Sequence, residues 1–477
     1  MASPGVESPF GEKTHDDRGG LVSALGAAAI VAFCAIAATG ALTLIGKLAL
    51  WAAEALRSPQ FQIFERILSR DNGAAPAAVA VFVATYVVVA IGKLPGFHLD
   101  RAGAALLGAS LMVAFNVLSL DEAYRAIDLD ALTLLLGMMI VVANLRLSGF
   151  FRLASNFFVA RARRPLMLLL AIIAISGCFS AFLVNDTICL VMTPLTLDLV
   201  RRLKRNATPY LLAIAMASNI GSVATITGNP QNMIIGSFSN ISYGAFAAAL
   251  WPVAAIGLIV TAVVIALAYP REFLTRETLL RPPVRPVRNH RALAIKSVLV
   301  TFVMMALFFA GQPVAKVAIV GGAALLFTRS VKAEKVYREI DWPLLLMFAG
   351  LFIVVAGLEK AALTPQAVAT LGRFDIDSVP LLSAVTAGLS NLVSNVPAVL
   401  VLKPFLAHAA DPQRAWLVVA MASTLAGNFT LVGSVANLIV AQRAQAEGIV
   451  LSFWTYFKVG APLTLLTIAL GVWQLGS

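Results

Sequence analysis

Two stretches of this chain place amides, hydroxyls and a carboxylate inside sequence that is otherwise apolar. The first reads Ser180-Ala-Phe-Leu-Val-Asn185-Asp186-Thr187 and runs on to Pro194; the second reads Ser390-Asn391-Leu-Val-Ser394-Asn395-Val396-Pro397 and runs on to Pro404. Laid over one another without a gap, Ser180 falls on Ser390, Asn185 on Asn395 and Pro194 on Pro404. Each stretch is followed by a second matching block. Ser218-Asn219-Ile-Gly221-Ser222-Val-Ala-Thr225-Ile-Thr227-Gly228-Asn229-Pro230-Gln231-Asn232 matches Ser423-Thr424 through Thr430-Leu-Val-Gly433-Ser434-Val-Ala-Asn437. Amide groups can coordinate a small cation or hydrogen-bond an oxygen-rich solute, and a carboxylate can carry a proton. The candidate ligands of solute or coupling ion are therefore Asn185, Asp186, Thr187, Asn219, Thr225, Gly228, Asn229 and Asn232 in one half, and Ser394, Asn395, Thr430, Gly433, Ser434 and Asn437 in the other.

Asp186 is the only acid in either stretch, and its counterpart is Val396. Desolvation disfavours a charged carboxyl, so an acid at membrane depth is suited to binding and releasing a proton. The competing reading is a fixed counter-charge with Lys403 as partner; Lys403 can also attract anions or reach the outer surface with its head group. Coupling would then use H⁺ through Asp186, or Na⁺ held by Asn185 and Asn395. No organic cofactor is expected. Cys34, Cys178 and Cys189 fall in apolar segments without CxxC spacing and read as buried small hydrophobes. His15, His98, His290 and His408 lie in tails, loops or segment ends without ligand spacing, so no resident metal is expected. Neither a nucleophile–base pair nor a metal cluster stands out, which argues against an enzyme.

Such residues need elements that hold them in a bilayer. Of 477 residues 60% are hydrophobic and only 13% charged, about half the charge of a soluble domain. The net charge of +12 sits in short loops between apolar runs, where it signals topology and makes no face for nucleic acid. No phosphate-binding G-x-x-x-x-G-K-[ST] occurs, although a separate soluble ATPase subunit remains compatible with the chain.

The expected class is an all-α polytopic membrane protein of about 11 transmembrane helices with two re-entrant hairpins. A cytoplasmic tail covers 1–20, and N-terminal scaffold helices cover 21–119. The first repeat is 120–269, with a hairpin at 165–200 and a broken helix at 208–240. A cytoplasmic linker (270–293) and further scaffold helices (294–328) follow. The second repeat is 329–477, with a hairpin at 378–408 and a broken helix at 412–442. Identity at 11 of 22 positions between 124–145 and 337–358, with Arg125 on Arg338 and Asp128 on Asp341, exceeds what shared membrane composition would give. Arg161, Arg163 and Arg164 before the first hairpin and Arg201, Arg202, Lys204 and Arg205 after it place both of its ends in the cytoplasm. The second hairpin lacks such clusters and is expected to enter from outside. Polar interruptions repeated in inverted halves mark a secondary transporter that binds at the bilayer midplane.

At these motifs the chain resembles the ion transporter superfamily, in particular its arsenite permeases and plant silicon efflux transporters. Asn185-Asp186-Thr187 with Pro194, Ser218 to Thr225, and Gly228-Asn229-Pro230-Gln231-Asn232 carry the likeness, over roughly residues 95 to 475. The resemblance implies a homodimer in which a scaffold domain holds a mobile transport domain that moves its cargo as an elevator. It also implies H⁺- or Na⁺-driven movement of oxyanions, metalloid hydroxides or carboxylates. The dicarboxylate branch carries Ser-Asn-Thr at both tips, whereas this chain has Val184-Asn185-Asp186-Thr187 and Ser394-Asn395-Val396. The expected activity is efflux of a small inorganic oxyanion or metalloid hydroxide (arsenite, antimonite or silicic acid) by proton antiport. The expected location is a bacterial inner membrane, with the N-terminus cytoplasmic. A Na⁺-coupled importer of carboxylate or sulfate is the alternative, and an ion channel a more distant one. Cysteine accessibility scanning tests the topology: residues 201–205 and Ser378 should label from opposite sides, and labelling from one side would rule out inverted hairpins.

Overall fold

The computed structural model describes residues 74–92, 98–159, 162–275, 278–279, 290–362, 377–406 and 409–476. The expected tail and first helix (1–20, 21–45), Cys34, His15, His408 and half of the 270–293 linker (276–277 and 280–289) lie outside these residues. Every regular element among the described residues is helical. Helices α1 (Ala74–Ile91) and α2 (Arg101–Ala114) come first, followed by short α3 (Leu120–Ala126), α4 (Leu129–Ser148) and α5 (Phe150–Val159). The first polar stretch separates α6 (Pro165–Phe182) from α7 (Asn185–Arg202), and the block after it separates α8 (Ala207–Ser222) from α9 (Pro230–Phe238). Then come α10 (Tyr243–Ala268), α11 (Pro270–Phe273), α12 (Arg291–Phe309), α13 (Val314–Leu326), α14 (Ala333–Tyr337) and α15 (Trp342–Ala362). The second polar stretch separates α16 (Val379–Val393) from α17 (Asn395–Leu406), and its block separates α18 (Pro412–Ala426) from α19 (Val435–Ala446), before α20 (Phe453–Gly476).

Six of these helices, α4, α6, α10, α12, α15 and α20, are long and apolar enough to cross a membrane by length and composition. Several other apolar runs become helices of fewer than 18 residues. The run 102–119, for example, ends its helix at Ala114 because Asn116 adopts φ +55°, a left-handed conformation that a continuing α-helix cannot take.

The packing between the two halves is exchanged. Helix α4 packs chiefly on α13, and α15 packs chiefly on α2. Both contacts depend on a glycine. A Cβ built on Gly137 would lie 2.5–2.6 Å from the Ala318 carbonyl, and one built on Gly350 would lie 2.6–2.7 Å from that of Ala105. Gly137 to Gly350 and Ala105 to Ala318 are both separated by 213 residues, so the repeat spacing reaches back to α2 and α13. The same spacing relates Gly108, which faces Thr85 of α1, to Gly321, which faces Met304 of α12. Helix α6 lies against α8 through Gly177 and Gly221, where an added Cβ would meet the Gly177 carbonyl oxygen at 2.1 Å.

Backbone carbonyls cannot retreat as a flexible side chain can, so bulk at these glycines must push helices apart. Gly137→Val and Gly350→Val should each destabilise the protein by about 1–3 kcal/mol, read as a lower melting temperature in detergent. An unchanged melting temperature for either variant would show that this contact is looser than described.

Candidate functional site

Where α8 and α18 stop, backbone groups lose their helical partners, and each break repairs the loss in the same way. Asn232 Nδ2 donates to the carbonyls of Ser222 and Thr225 (both 3.0 Å), 10 and 7 residues earlier. Asn437 Nδ2 donates to the carbonyls of Gly427 (2.7 Å) and Thr430 (3.1 Å), again 10 and 7 residues earlier. Asn229 and Ser434, which occupy matching positions, cap α9 and α19 by accepting from the backbone of Asn232 (2.8 Å) and Ala436 (3.2 Å). Gly228 and Gly433 let the chain pass close to the Ser222 and Gly427 carbonyls. Thr225 and Thr430 tie the breaks to the first arms of the hairpins, through the Ala181 carbonyl and the Asn391 amide oxygen.

Asn219 joins the halves. Its Oδ1 accepts from Asn185 Nδ2 (3.0 Å) and Ser434 Oγ (3.2 Å), and its Nδ2 donates to Asn428 Oδ1 (2.9 Å) and Asn437 Oδ1 (3.0 Å). These four bonds use both amide hydrogens and both lone pairs, leaving none for a solute. Its counterpart Thr424 instead accepts from Asn229 (3.2 Å) and Gln231 (3.1 Å). Without a second Asn219, the Asn232 Oδ1 is left buried and unpartnered.

The hairpin tips are also unequal. Asn395 Nδ2 donates to the carbonyls of Ser423 (3.2 Å) and Gly433 (3.3 Å), and its Oδ1 accepts from Gln231 Nε2 (3.2 Å). Asn185 is 3% exposed, and its Oδ1 is buried with no partner. Between α16 and α17 the turn is a single residue, Ser394, at φ +79°, a backbone conformation that side chains other than glycine rarely adopt.

A cavity of about 280 Å³ opens between the tips and the start of α15, just below the 300–1,000 Å³ of drug-sized sites. Of the candidate ligands it is lined by Asn185, Asp186, Ser394, Asn395 and Ser434; Gln231, Asp100, Arg101 and Asp341 line it as well. Thr187, Asn219, Thr225, Gly228, Asn229, Asn232, Thr430, Gly433 and Asn437 are not among the residues that line it. Sequence reasoning passed over Gln231, Thr424, Asn428 and Asp341. Gln231 and Asp341 were visible as polar members of the repeats, but their partners were not.

Lys403 does not reach Asp186. Its Nζ lies 3.8 Å from Glu359 Oε1 and 4.5 Å above the Phe238 ring, because the exit direction of α17 carries it away from the tip. Cys178, expected to be buried, is exposed on α6, while Cys189 is buried with Sγ 2.9 Å from Ser218 Oγ. His98 and His290 are exposed, and no metal-binding group of His, Cys, Asp and Glu occurs among the described residues.

Comparison with known proteins adds the lineage. The citrate transporter family profile, CitMHS, matches residues 86–426. The silicon efflux transporter LSI3 of Oryza sativa subsp. japonica is 31% identical over 456 residues, covering 80% of this chain and 94% of that one. The arsB protein of Dictyostelium discoideum is 24% identical, covering 82% and 90%. Among solved structures, the YdaH transporter of Alcanivorax borkumensis is similar in fold, with a TM-score of 0.53 at 14% identity over 84% of this chain and 97% of that one.

The paired carbonyl bridges make a stability prediction. Asn232→Leu and Asn437→Leu each leave two carbonyls without a donor, at a cost of about 2–4 kcal/mol. Thermal unfolding in detergent should show losses for both, the larger for Asn437→Leu, which also takes an acceptor from Asn219 Nδ2. A variant that melts like the wild type would mean its bridge is dispensable.

Proposed function

This chain belongs to the citrate transporter family, CitMHS, and we propose that it moves a small hydroxylated inorganic solute against a proton gradient. It is a multi-pass membrane transporter of that type; the cargo, the coupling ion and the manner of movement are our reading. The observation that carries the reading is the cavity at the tips, which is small and lined by Asp186, Asn185 and Asn395. Carboxylate and amide oxygens accept hydrogen bonds, which suits a cargo rich in O–H donors, such as arsenite or silicic acid. The likeness to a silicon efflux transporter supports the same class of cargo.

Asp186 has no counterpart in the other half and no side-chain hydrogen bond among the described residues, which leaves it free to exchange a proton with solvent when the cavity opens. Binding that displaces the proton would couple the two flows, since linkage is reciprocal. We further propose that the hairpins and broken helices move together as one transport body within a homodimer. Their mutual hydrogen bonding through Asn219 supports this, because such a cluster resists being opened piecemeal. The name of the family favours a carboxylate cargo, and with it a second reading in which a carboxylate is imported with Na⁺.

Purified protein in liposomes separates the two. With arsenite or silicic acid inside and a pH gradient imposed, wild-type efflux should rise several-fold, whereas citrate should move little. Asp186→Asn should lose the response to the pH gradient, and Asn185→Ala should lose transport while keeping its elution volume. Citrate uptake driven by Na⁺, unaffected by Asp186→Asn, would falsify the proton-coupled reading.

A further inference from the structure

The cavity contains a second acid that the polar motifs do not announce. Asp341 lines it together with Asp186. Its Oδ1 accepts from the backbone of Leu344 (3.1 Å) at the start of α15, and no side chain among the described residues bonds to it. Its counterpart 213 residues earlier, Asp128, caps α4 in the same way (Ala131 N, 2.8 Å) but also receives the Ser237 hydroxyl against both carboxylate oxygens (2.9 and 2.8 Å). The two halves thus make the same cap and use it differently: Asp128 is satisfied within the protein, and Asp341 is left facing the cavity.

The imbalance recurs at the two hairpin tips. Asp186 is matched by Val396. The Asn185 Oδ1 is buried and unpartnered, whereas that of Asn395 is taken by Gln231. Asp186, Asp341 and the Asn185 amide oxygen therefore line the cavity without side-chain donors, and none of their counterparts Val396, Asp128 and Asn395 brings such an oxygen to it. The carboxylates of Asp186 and Asp341 repel each other, and a shared cation removes that repulsion. The other ionisable lining groups are Asp100, which caps α2 through Gly103 N (2.8 Å), and Arg101, so acids outnumber bases three to one. Besides Arg101 of α2, already counted, the cations on the helices packed against α15 do not line the cavity: α1 carries no charged residue, Arg125 lies on α3, Arg146 of α4 is bonded to Glu339, and Lys403 of α17 lies beside Glu359 at the far end of α15.

We propose that Asp341 is a second ligand of the coupling ion, holding one small monovalent cation, H⁺ or Na⁺, jointly with Asp186 and the Asn185 amide oxygen. The inference rests on the coupled-transport reading above, and its test keeps the two separable. Asn caps a helix as well as Asp does, so Asp341→Asn and Asp128→Asn both retain their caps. In liposomes containing the full chain, the measured quantity is the ratio of gradient-driven flux to counterflow of arsenite, or of silicic acid if the wild type moves that instead. A ratio is insensitive to the amount of folded protein. One arm imposes a pH gradient without Na⁺ and the other a Na⁺ gradient at equal pH; the arm that drives the wild type identifies the cation.

In that arm Asp341→Asn should lower the ratio about tenfold, within the usual range of coupling between sites, and Asp128→Asn should keep the wild-type ratio. A wild-type ratio for Asp341→Asn beside a collapsed ratio for Asp186→Asn overturns this inference alone. Wild-type ratios for both overturn the coupled-transport reading and this inference with it. If Asp341→Asn carries too little flux for a ratio, cation binding in detergent decides, measured as ²²Na⁺ retention or as protons released on adding arsenite. Binding at the wild-type level overturns the proposal, and its loss supports it.

Discussion

A helix that stops inside a membrane protein leaves carbonyls and amides that neither water nor lipid can satisfy. Most of this molecule follows from how that problem is solved at two places. Asn232 and Asn437 each reach back to two carbonyls, and Asn219 then binds the repaired breaks to one another. A buried amide that fills all four of its hydrogen-bonding positions holds its neighbours at fixed distances. The hairpin tips rest on this cluster, and the cavity is the space left beside it. The asparagines that stand out most in the sequence therefore divide into two kinds: those that hold the site together and those that face it.

The second theme is divergence within duplication. The two breaks keep the same bond pattern because each has the same orphaned backbone to repair. Positions free of that duty have drifted apart: Asn219 against Thr424, Asp186 against Val396, and Asp128 and Asp341 in their different surroundings. A cavity placed between two related halves need not be symmetric in its chemistry. Here the oxygens without a side-chain donor come from Asn185, Asp186 and Asp341, and the matched amide of Asn395 is occupied by Gln231.

Much of this was legible in the sequence, and for a physical reason. Helix positions follow from apolar runs, and the ends of α8 and α18 coincide with blocks containing Gly and Asn, joined by Pro230 in the first, because those residues tolerate or enforce non-helical backbone. Repair within a break spans at most 10 residues, so its members sit close together on the page. What could not be read were contacts that join non-matching positions. Gln231 meets Asn395, Asn428 meets Asn219, and Lys403 turns to Glu359 and away from Asp186. Alignment of a repeat reveals equivalence and carries no information about which unlike positions touch. The lining of the cavity is made of such contacts, so Asp341 remained a mere matching letter beside Asp128.

The exchanged packing of α4 on α13 and of α15 on α2 has a consequence for how the chain is assembled. A single half would leave the Gly137 groove without its ridge and the Ala105 ridge without its groove. Two copies of that half would close both, as an obligate dimer of halves would. In the single chain the partner is always at hand: tethering replaces a bimolecular encounter with an effective concentration in the millimolar range. Assembly of the two halves is then independent of expression level, and each half is free to accumulate changes that its twin does not share.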